Sequence, residues 1–282
     1  MTGELRFAKY EAAGNDFVMV VDLEDERPIA AEEAVRLCDR RFGIGADGLI
    51  RIVRSGDAAM FMDYRNADGS FAEMCGNGVR CVAALARDAG LIDMTAFDVA
   101  TRAGIRRVDL LADGRISVEM GHPAFAKSAI PMRGPAWETF LAEPFDIGGG
   151  TTVKASALSM GNPHLVLLIE DDPDRYHVSH IGPALEHHDL FPEGTNVEFA
   201  HVTNEAIVTR VWERGSGETM ACGSGACAVA VAANEAGLAP ARTMVRFPGG
   251  DLEVERREDG EVLLTGPASR VFGGAVDPAA LR

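Results

Sequence analysis

Two cysteines that each precede a glycine-rich turn are the residues of this sequence best suited to chemistry. Cys75 is followed by Gly76-Asn77-Gly78 and Cys222 by Gly223-Ser224-Gly225, and an alanine-rich segment follows each motif. These patterns predict two helices that begin at the cysteines. The unpaired N–H groups and the dipole at a helix start favour a thiolate and also bind anions such as a carboxylate. We therefore expect each thiol to have a lowered pKa beside a carboxylate-binding turn.

The two motifs are parts of a longer internal repeat. Residues 75–91 and 222–238 align without gaps and agree at 9 of 17 positions. The offset is 222 − 75 = 147 residues, and Gly14-Asn15 recurs at the same offset as Gly161-Asn162. Two copies predict a duplicated globular domain, because open arrays of repeats need about three or more units.

The duplication predicts a shared task for the two cysteines. We expect pseudo-two-fold symmetry to bring both helix starts to one cleft, where a bound carboxylate has one sulfur on each face of its α-carbon. A thiolate on one face then removes the α-proton, and a thiol on the other face supplies one. The predicted reaction inverts the configuration of a carbon next to a carboxylate.

The segments around the cysteines predict the fold that positions them. The helix after Cys75 is apolar on nearly all sides, as is the helix after Cys222, and such helices belong in a domain interior, within a curved sheet. The predicted class is α+β, with two pseudo-symmetric duplicated domains, each a curved, barrel-like mixed sheet around a buried central helix, and with the active site in the cleft between them. The first domain comprises residues 1–121 with 268–282 and carries Cys75; the second comprises 122–267 and carries Cys222.

Apolar runs between turn sequences give the individual elements. A further helix, ending near Gly43, is predicted over 31–41 from the apolar positions Ala34, Val35, Leu37 and Cys38. Residues 131–150 are rich in proline and glycine and are expected to be irregular, and 173–189 is expected to be a polar segment. The predicted strands are 17–21, 49–53, 59–64, 95–99, 105–111, 116–120, 165–169, 195–199, 207–212, 244–247, 251–256 and 261–264.

Composition limits the possible partners. The 282 residues carry a net charge of −16 and are 47% hydrophobic. Nucleic acid is excluded as a partner, because its binding needs concentrated lysine and arginine. No apolar run approaches the ~18 residues of a membrane span, and residues 1–6 lack the apolar core of a signal peptide, so we expect a cytoplasmic protein without a membrane partner. Composition leaves the oligomeric state open, and a homodimer is one possibility.

The cysteines indicate neither disulfides nor a metal site. Five cysteines are an odd, sparse set for this length, which suits a reducing compartment. Cys75 and Cys81 would lie ~240° apart on one helix, so they do not converge on an ion. His177, His180, His187 and His188 have no regular spacing and are predicted to be surface residues. We expect no bound metal.

Short polar and glycine-containing motifs occur along nearly the whole chain. They are Gly14-Asn15-Asp16-Phe17-Val18, Asn66-Ala67-Asp68-Gly69-Ser70, Cys75-Gly76-Asn77-Gly78-Val79-Arg80-Cys81, Gly161-Asn162-Pro163-His164, Thr195-Asn196-Val197, Glu213-Arg214-Gly215 and Ala221-Cys222-Gly223-Ser224-Gly225. Through these motifs the chain resembles the diaminopimelate epimerases nearly from end to end. This resemblance implies an isomerase that needs neither PLP nor another cofactor. It implies interconversion of LL- and meso-2,6-diaminopimelate, a small amino-acid substrate, in the route to lysine and peptidoglycan.

The resemblance also implies roles for individual residues. Cys75 and Cys222 would be the acid/base pair, and His164 and Glu213 would tune the site and hold the reacting amino group. The helix starts would contact the reacting carboxylate through Gly76, Asn77, Gly223 and Ser224. An arginine suits the distal carboxylate because its planar fork binds both oxygens. The residues that would hold this distal, non-reacting end are Asn15, Asn66, Asn162, Asn196 and Arg214.

The sequence departs from this family at the first domain's substrate rim. Relatives often have His-Gly-x-Gly-Asn where this chain has Glu11-Ala12-Ala13-Gly14-Asn15, and some carry a glutamine near Gly48. Two other functions stay open. One is an epimerase or racemase of the same fold that acts on histidine or proline, although Arg214 and the four asparagines favour a substrate with a second amino-acid end. The other is a redox-switch or binding protein in which Cys75 and Cys222 form a reversible disulfide.

Overall fold

The computed structural model describes residues 4–281 of the chain. These residues form two compact units, unit 1 (residues 4–118 and 266–281) and unit 2 (Glu119–Thr265). Each unit combines a mixed sheet with two α-helices. No described helix has the length and apolar character needed to cross a membrane.

Unit 1 is an eight-stranded sheet that begins at the C-terminal strand of the chain. Its strands pair in the order β17, β1, β2, β3, β4, β5, β6 and β7. Helix α1 (Ala31–Cys38) connects β2 to β3, and helix α2 (Gly76–Asp88) connects β4 to β5. The strands are β1 (Leu5–Ala12), β2 (Asn15–Val21), β3 (Gly48–Val53), β4 (Met60–Asn66), β5 (Ala96–Thr101), β6 (Gly104–Leu110), β7 (Ile116–Gly121), which crosses the unit boundary, and β17 (Ser269–Val276).

Unit 2 repeats this arrangement with one added short strand. Its strands pair in the order β8, β9, β10, β11, β12, β14, β15 and β16, and β13 pairs beside β12. Helix α3 (Val178–Glu186) connects β10 to β11, and helix α4 (Gly223–Glu235) precedes β14. The strands are β8 (Phe140–Asp146), β9 (Thr152–Ser159), β10 (Pro163–Ile169), β11 (Asn196–Val202), β12 (Ile207–Glu213), β13 (Gly217–Thr219), β14 (Arg242–Phe247), β15 (Gly250–Arg256) and β16 (Val262–Gly266).

The two units have the same topology, which confirms the predicted duplication. In each, successive pairs along the sheet are antiparallel, antiparallel, parallel, antiparallel, parallel, antiparallel and antiparallel. Adding 147 to the bounds of α2, 76 and 88, gives 223 and 235, the bounds of α4. Within residues 4–281 no pairing joins the first strand of either series to its last, so each sheet is open.

The central helix of each unit is buried, as its composition predicts. Val79, Val82 and Ala83 of α2 and Val229 of α4 have no exposed surface. Strands pack around α2 from β1, β2, β3, β6 and β17, and around α4 from β9, β10, β11, β14 and β15. The small side chains of both helices let this surrounding backbone approach closely.

Helix α1 is shorter than predicted. It ends at Cys38 rather than at residue 41, because the Asp39 carboxylate accepts hydrogen bonds from the N–H groups of Arg41 and Phe42, each at 2.7 Å, and turns the chain. Of its apolar residues, Ala34, Leu37 and Cys38 are buried, whereas Val35 is 42% exposed.

The expectations for 131–150 and 173–189 were incomplete. The first segment contains the whole of β8, which pairs only with β9 among the described strands and so tolerates Pro144 on a sheet edge. The second contains α3, which includes Pro183 and packs so closely that a Cβ at Gly182 would lie 2.5 Å from Cγ of Trp212. Three of its four histidines are exposed as predicted, and His188 is half-buried against Phe145.

Candidate active site

Cys75 is the N-cap residue of α2, in an extended conformation before the first helical turn. Its Sγ accepts a hydrogen bond from the N–H of Gly78 at 3.4 Å and lies 3.8 Å from Oδ1 of Asn15. The cysteine is half-buried at the helix start. The structure thus brings the repeated Gly-Asn turn and the first cysteine motif together.

A buried cation supports this helix start. The Arg80 side chain has no exposed surface, and its Nη2 donates to Oδ1 of Asn77 at 2.6 Å. Its Nε donates to the Pro267 carbonyl at 3.3 Å, and its Nη1 donates to the Gly76 carbonyl at 3.4 Å. Arg80 therefore orients the side chain of Asn77 and adds positive charge to a turn expected to hold an anion.

The loop that carries Asn15 is held by an ion-pair network. Asn15 Nδ2 donates to Asp47 Oδ2 at 3.0 Å, and Arg40 bridges Asp47 and Asp16 at 2.7 and 2.8 Å. Burial tends to raise the pKa of Asp16, but the hydrogen bonds from Arg40 and Lys9 outweigh it and hold that pKa below its usual range. The network keeps the Asn15 amide next to Cys75.

The departures from the family pattern have local explanations. Glu11 Oε2 accepts from the N–H of Gly14 at 3.1 Å and so stabilises the turn before Asn15. At Gly48 a Cβ would lie 2.5 Å from Cε2 of Tyr64, so this sheet position has no room for a larger residue. Asn66 lies at the end of β4, where its Nδ2 donates to Oγ of Ser70 at 3.0 Å.

Cys222 occupies the equivalent position in unit 2, as the N-cap residue of α4. Its Sγ accepts from the N–H of Gly225 at 3.4 Å and lies 3.5 Å from Oγ of Ser224. The local geometry therefore matches that of Cys75. Unlike Cys75, Cys222 is only 6% exposed.

Two carboxylates surround Cys222. Glu213 ends β12 and accepts a hydrogen bond from Oγ1 of Thr219 at 2.5 Å. Burial raises the pKa of Glu213, and hydrogen bonds with Thr219 and the Cys222 side chain partly offset this rise. Glu198, on β11, is the second carboxylate, and burial also raises its pKa.

The predicted lowering of the thiol pKa was wrong for Cys222. Burial raises the pKa of this thiol well above its usual value, and the charges of Glu213 and Glu198 raise it further. The hydrogen bonds from Ser224 and from the N–H of Gly225 act in the opposite direction but are weaker. The helix start alone therefore does not decide the protonation state of this sulfur.

His164 links Glu198 to Asn162. The ring is fully buried, with Nδ1 2.6 Å from Glu198 Oε1 and Nε2 2.9 Å from Asn162 Oδ1. Strands β10 and β11 are parallel, with His164 opposite Asn196 and Val166 opposite Glu198. This register places His164 and Glu198 on the same face of the sheet.

Asn196 fixes the backbone around Arg214. It is 3% exposed, its Nδ2 donates to the Pro163 carbonyl at 2.8 Å, and its Oδ1 accepts from the N–H of Arg214 at 2.9 Å. The Arg214 side chain is exposed and donates to the Glu193 carbonyl at 3.2 Å. Arg214 thus projects a guanidinium from a fixed turn.

The predicted residues form one cluster in each unit. Unit 1 brings together Asn15, Cys75, Gly76 and Asn77, with Asn66 at the end of β4. Unit 2 brings together Asn162, His164, Asn196, Glu213, Arg214, Cys222, Gly223 and Ser224.

Sequence reasoning missed Arg80 and Glu198. The signal for each was a single charged residue within an apolar run, Val79-Arg80-Cys81 and Val197-Glu198-Phe199. Over residues 4–281 there is no group of three or more metal-ligating side chains.

Methyl groups added to the equivalent glycines of the two motifs should have different effects. At Gly225 a Cβ would lie 2.9 Å from Oε1 of Glu198, whereas at Gly78 it would meet the flexible end of Ile50 at 3.0 Å. We expect Gly225→Ala to lower the free energy of unfolding by about 1–3 kcal/mol through overpacking. Gly78→Ala should be near neutral, because the better helix propensity of alanine, about 1 kcal/mol, offsets a small displacement of Ile50. Urea unfolding of both variants measures this, and equal losses would contradict it.

Comparison with known proteins is consistent with this geometry. The structure of a hydroxyproline epimerase from Agrobacterium vitis superposes with a TM-score of 0.71 at 13% identity, covering 97% of this chain and 92% of that one. The fold is therefore the duplicated two-domain α+β fold of that protein. A diaminopimelate epimerase from Desulforudis audaxviator is 45% identical over 276 residues, which cover 96% of this chain and 98% of that protein. A diaminopimelate epimerase from Synechocystis sp. is 42% identical over 278 residues, which cover 97% of this chain and 99% of that protein. The diaminopimelate epimerase family pattern matches residues 7–126 and 156–271. The chain belongs to the diaminopimelate epimerase family.

Proposed function

We propose that this protein converts LL-2,6-diaminopimelate to meso-diaminopimelate, with Cys75 and Cys222 as the acid/base pair and without a cofactor. The observation that carries the proposal is the matched position of the two sulfurs, each at the N-cap of a buried helix and each bonded to the N–H three residues on. Family membership supports the reaction. The route served is that to lysine and to peptidoglycan precursors.

One sulfur acts as base and the other as acid in each turnover. The thiolate removes the α-proton, and the thiol delivers a proton to the opposite face of the same carbon. The raised pKa of Cys222 supports the assignment of the resting proton to this sulfur. The reverse reaction exchanges the two roles.

The helix starts stabilise the charge that develops on the reacting carboxylate. We assign this role to the N–H groups and side chains of the first turns of α2 and α4. These groups interact more strongly with the carboxylate in the transition state, where its negative charge is larger, than in the ground state. We assign the reacting amino group to Glu213 and a role in tuning the site to His164. The carboxylate ligands are Gly76, Asn77, Gly223 and Ser224.

The distal end of the substrate determines specificity. We assign its carboxylate to Arg214, whose backbone Asn196 fixes, and the other contacts of this distal amino-acid end to asparagine side chains, whose amides offer both donors and acceptors. Histidine and proline lack this second amino-acid end. The amides assigned here are Asn15, Asn66, Asn162 and Asn196.

Solvent deuterium incorporation tests the reaction. In ²H₂O without added cofactor, each pure diaminopimelate isomer should gain one deuterium at the inverted α-carbon, since the incoming proton comes from a thiol that exchanges with solvent. Mass spectrometry and chiral chromatography measure the label and the inversion together. Racemisation of histidine or proline, with diaminopimelate untouched, would overturn the substrate assignment.

We further propose that the protein is a cytoplasmic homodimer. Strand β17 pairs only with β1 among the described strands, and it exposes Val271 (56%) and Phe272 (45%), which is the apolar, unpaired edge that a second copy would cover. Five free cysteines suit a reducing compartment.

A charge on this edge should dissociate the proposed dimer. We expect sedimentation to give twice the 30.0 kDa chain mass for the wild type, and the single mass for Val271→Glu, because the carboxylate would be buried against an apolar surface. Val35→Glu, at an exposed position on α1, is the control and should stay dimeric. A monomeric wild type at micromolar concentration would refute the dimer.

A further inference from the structure

Glu198 is a buried acid for which the proposed reaction has no assigned task. Its side chain has no exposed surface, and it lies against the first turn of α4, where a Cβ at Gly225 would approach Oε1 to 2.9 Å. Its second oxygen, Oε2, is buried without a hydrogen-bond partner among residues 4–281. A bare carboxylate in such an environment is costly, so its charge must be compensated or removed.

The His164 ring lies between two oxygen atoms. Glu198 Oε1 is 2.6 Å from Nδ1, and Asn162 Oδ1 is 2.9 Å from Nε2. A neutral imidazole has one N–H and one lone pair, so it cannot donate to both oxygens. An amide oxygen has no hydrogen to offer, so a hydrogen bond at Nε2 requires the proton to be on Nε2.

Two proton arrangements satisfy both contacts. In one, an imidazolium donates to a Glu198 carboxylate and to Asn162. In the other, a protonated Glu198 donates to Nδ1 of a neutral ring, which donates from Nε2 to Asn162. Both contain the same number of protons and leave the His164–Glu198 pair without net charge. With Asn162 in this orientation, the excluded arrangement is a carboxylate with a neutral ring protonated only at Nδ1, because that ring would need the Asn162 NH₂ group, not its oxygen, at Nε2.

We propose that Glu198 is a positioning residue, which keeps a proton on Nε2 of His164 and thereby holds the Asn162 amide with its oxygen inward and its NH₂ group outward. The pair acts as a fixed donor rather than as a proton acceptor. Burial, which raises the pKa of Glu198, favours retention of the shared proton.

The orientation of Asn162 has a consequence for ligand binding. Asn162 is half-buried at the start of β10, and its outward NH₂ group is a pair of donors suited to a carboxylate. With the opposite orientation, its oxygen would repel the same carboxylate. The consequence for catalysis rests on the proposed function, in which Asn162 contacts the distal end of diaminopimelate, whereas the proton arrangement itself does not.

Nitrogen NMR of the ligand-free protein tests the proton arrangement directly. In protein labelled with ¹⁵N-histidine, a long-range ¹H–¹⁵N spectrum distinguishes protonated from bare ring nitrogens, and the His164→Gln spectrum identifies the His164 signals. We expect Nε2 of His164 to be protonated at neutral pH. A ring protonated only at Nδ1 would overturn the proposal even if the protein is an active epimerase, and Nε2–H would stand even if diaminopimelate is not the substrate.

Two substitutions test the effect on the substrate. Glu198→Gln keeps a donor for Nδ1, so Nε2–H and the Michaelis constant should stay within about twofold of wild type. Glu198→Leu leaves Nδ1 unpaired, and we expect the Michaelis constant to rise about tenfold to a hundredfold with a smaller fall in kcat, as for the loss of a hydrogen bond to a charged group that acts in binding. An unchanged Michaelis constant in Glu198→Leu, or an equal rise in both variants, would contradict the proposal.

Glu261 offers a matched control in the same unit. This largely buried carboxylate accepts from the N–H of Gly121 at 2.6 Å and lies 3.4 Å from Nδ1 of His122, so it also forms a histidine–glutamate pair. Glu261→Gln should leave both kinetic constants unchanged. If Glu198→Leu does not fold, the wild-type spectrum and the Glu198→Gln kinetics still decide the question.

Discussion

Replacing Cys222 with serine should lower kcat for diaminopimelate epimerisation by a factor of about 10²–10⁴, the usual contribution of a positioned acid or base. A serine hydroxyl ionises far less readily than a thiol, so it cannot exchange roles between acid and base in successive turnovers. Cys75→Ser should have an effect of similar size. Calorimetry should show that both variants still bind the substrate, because the helix N–H groups remain.

Cys227 provides the control for this experiment. It is fully buried one turn along α4 from Cys222 and has no assigned role in the proposed reaction, so Cys227→Ala should retain kcat while losing some stability. Full turnover in either serine variant would rule out the two-base mechanism. Such a result would favour the redox or binding function that the sequence leaves open.

Replacing Arg214 with lysine should lower kcat/KM for diaminopimelate about tenfold to a hundredfold. The lost interaction is a charge-assisted, bidentate hydrogen bond between the guanidinium and the distal carboxylate. A lysine ammonium is a poor substitute because it lacks the planar pair of N–H donors. Because the distal end does not react, most of the loss should appear in KM rather than in kcat. Steady-state kinetics with LL-diaminopimelate measure both.

Lysine, which is diaminopimelate without one carboxylate, separates this role from general damage. The preference is the ratio of kcat/KM for diaminopimelate to kcat/KM for lysine. In Arg214→Lys this ratio should fall by the same factor as kcat/KM for diaminopimelate. The control is Arg210→Lys on β12, whose guanidinium donates from Nε to Glu218 at 2.7 Å. An unchanged preference would show that Arg214 does not bind the distal carboxylate.

The repeat predicted more of the fold than local patterns did. The cysteine motifs located the starts of α2 and α4, because an extended N-cap followed by glycines leaves few alternatives. Helix α3 was missed, since its glycine, its proline and the histidines in and beside it obscure the helical pattern. The same offset predicts it, because 31 + 147 = 178, the first residue of α3. Comparison of the two copies therefore predicts a helix in 173–189, which the local sequence pattern does not.

Long-range contacts account for what sequence reasoning missed. Strand β17 contains Gly273 and Gly274, shows little alternation, and is ordered by pairing with β1 at the other end of the chain. Glu198 and Arg80 were missed because a charge in an apolar run does not reveal its partner. The roles assigned through the family resemblance did not depend on such contacts, since each residue lies in a motif that matches the family.

The duplicated halves have diverged in the ionisable side chains that they bury beside their cysteines. Unit 1 encloses the Arg80 cation beneath its cysteine turn, whereas unit 2 encloses the Glu198 and Glu213 side chains around its own. A gene fusion of two identical halves would therefore give a protein with the wrong electrostatics at one sulfur.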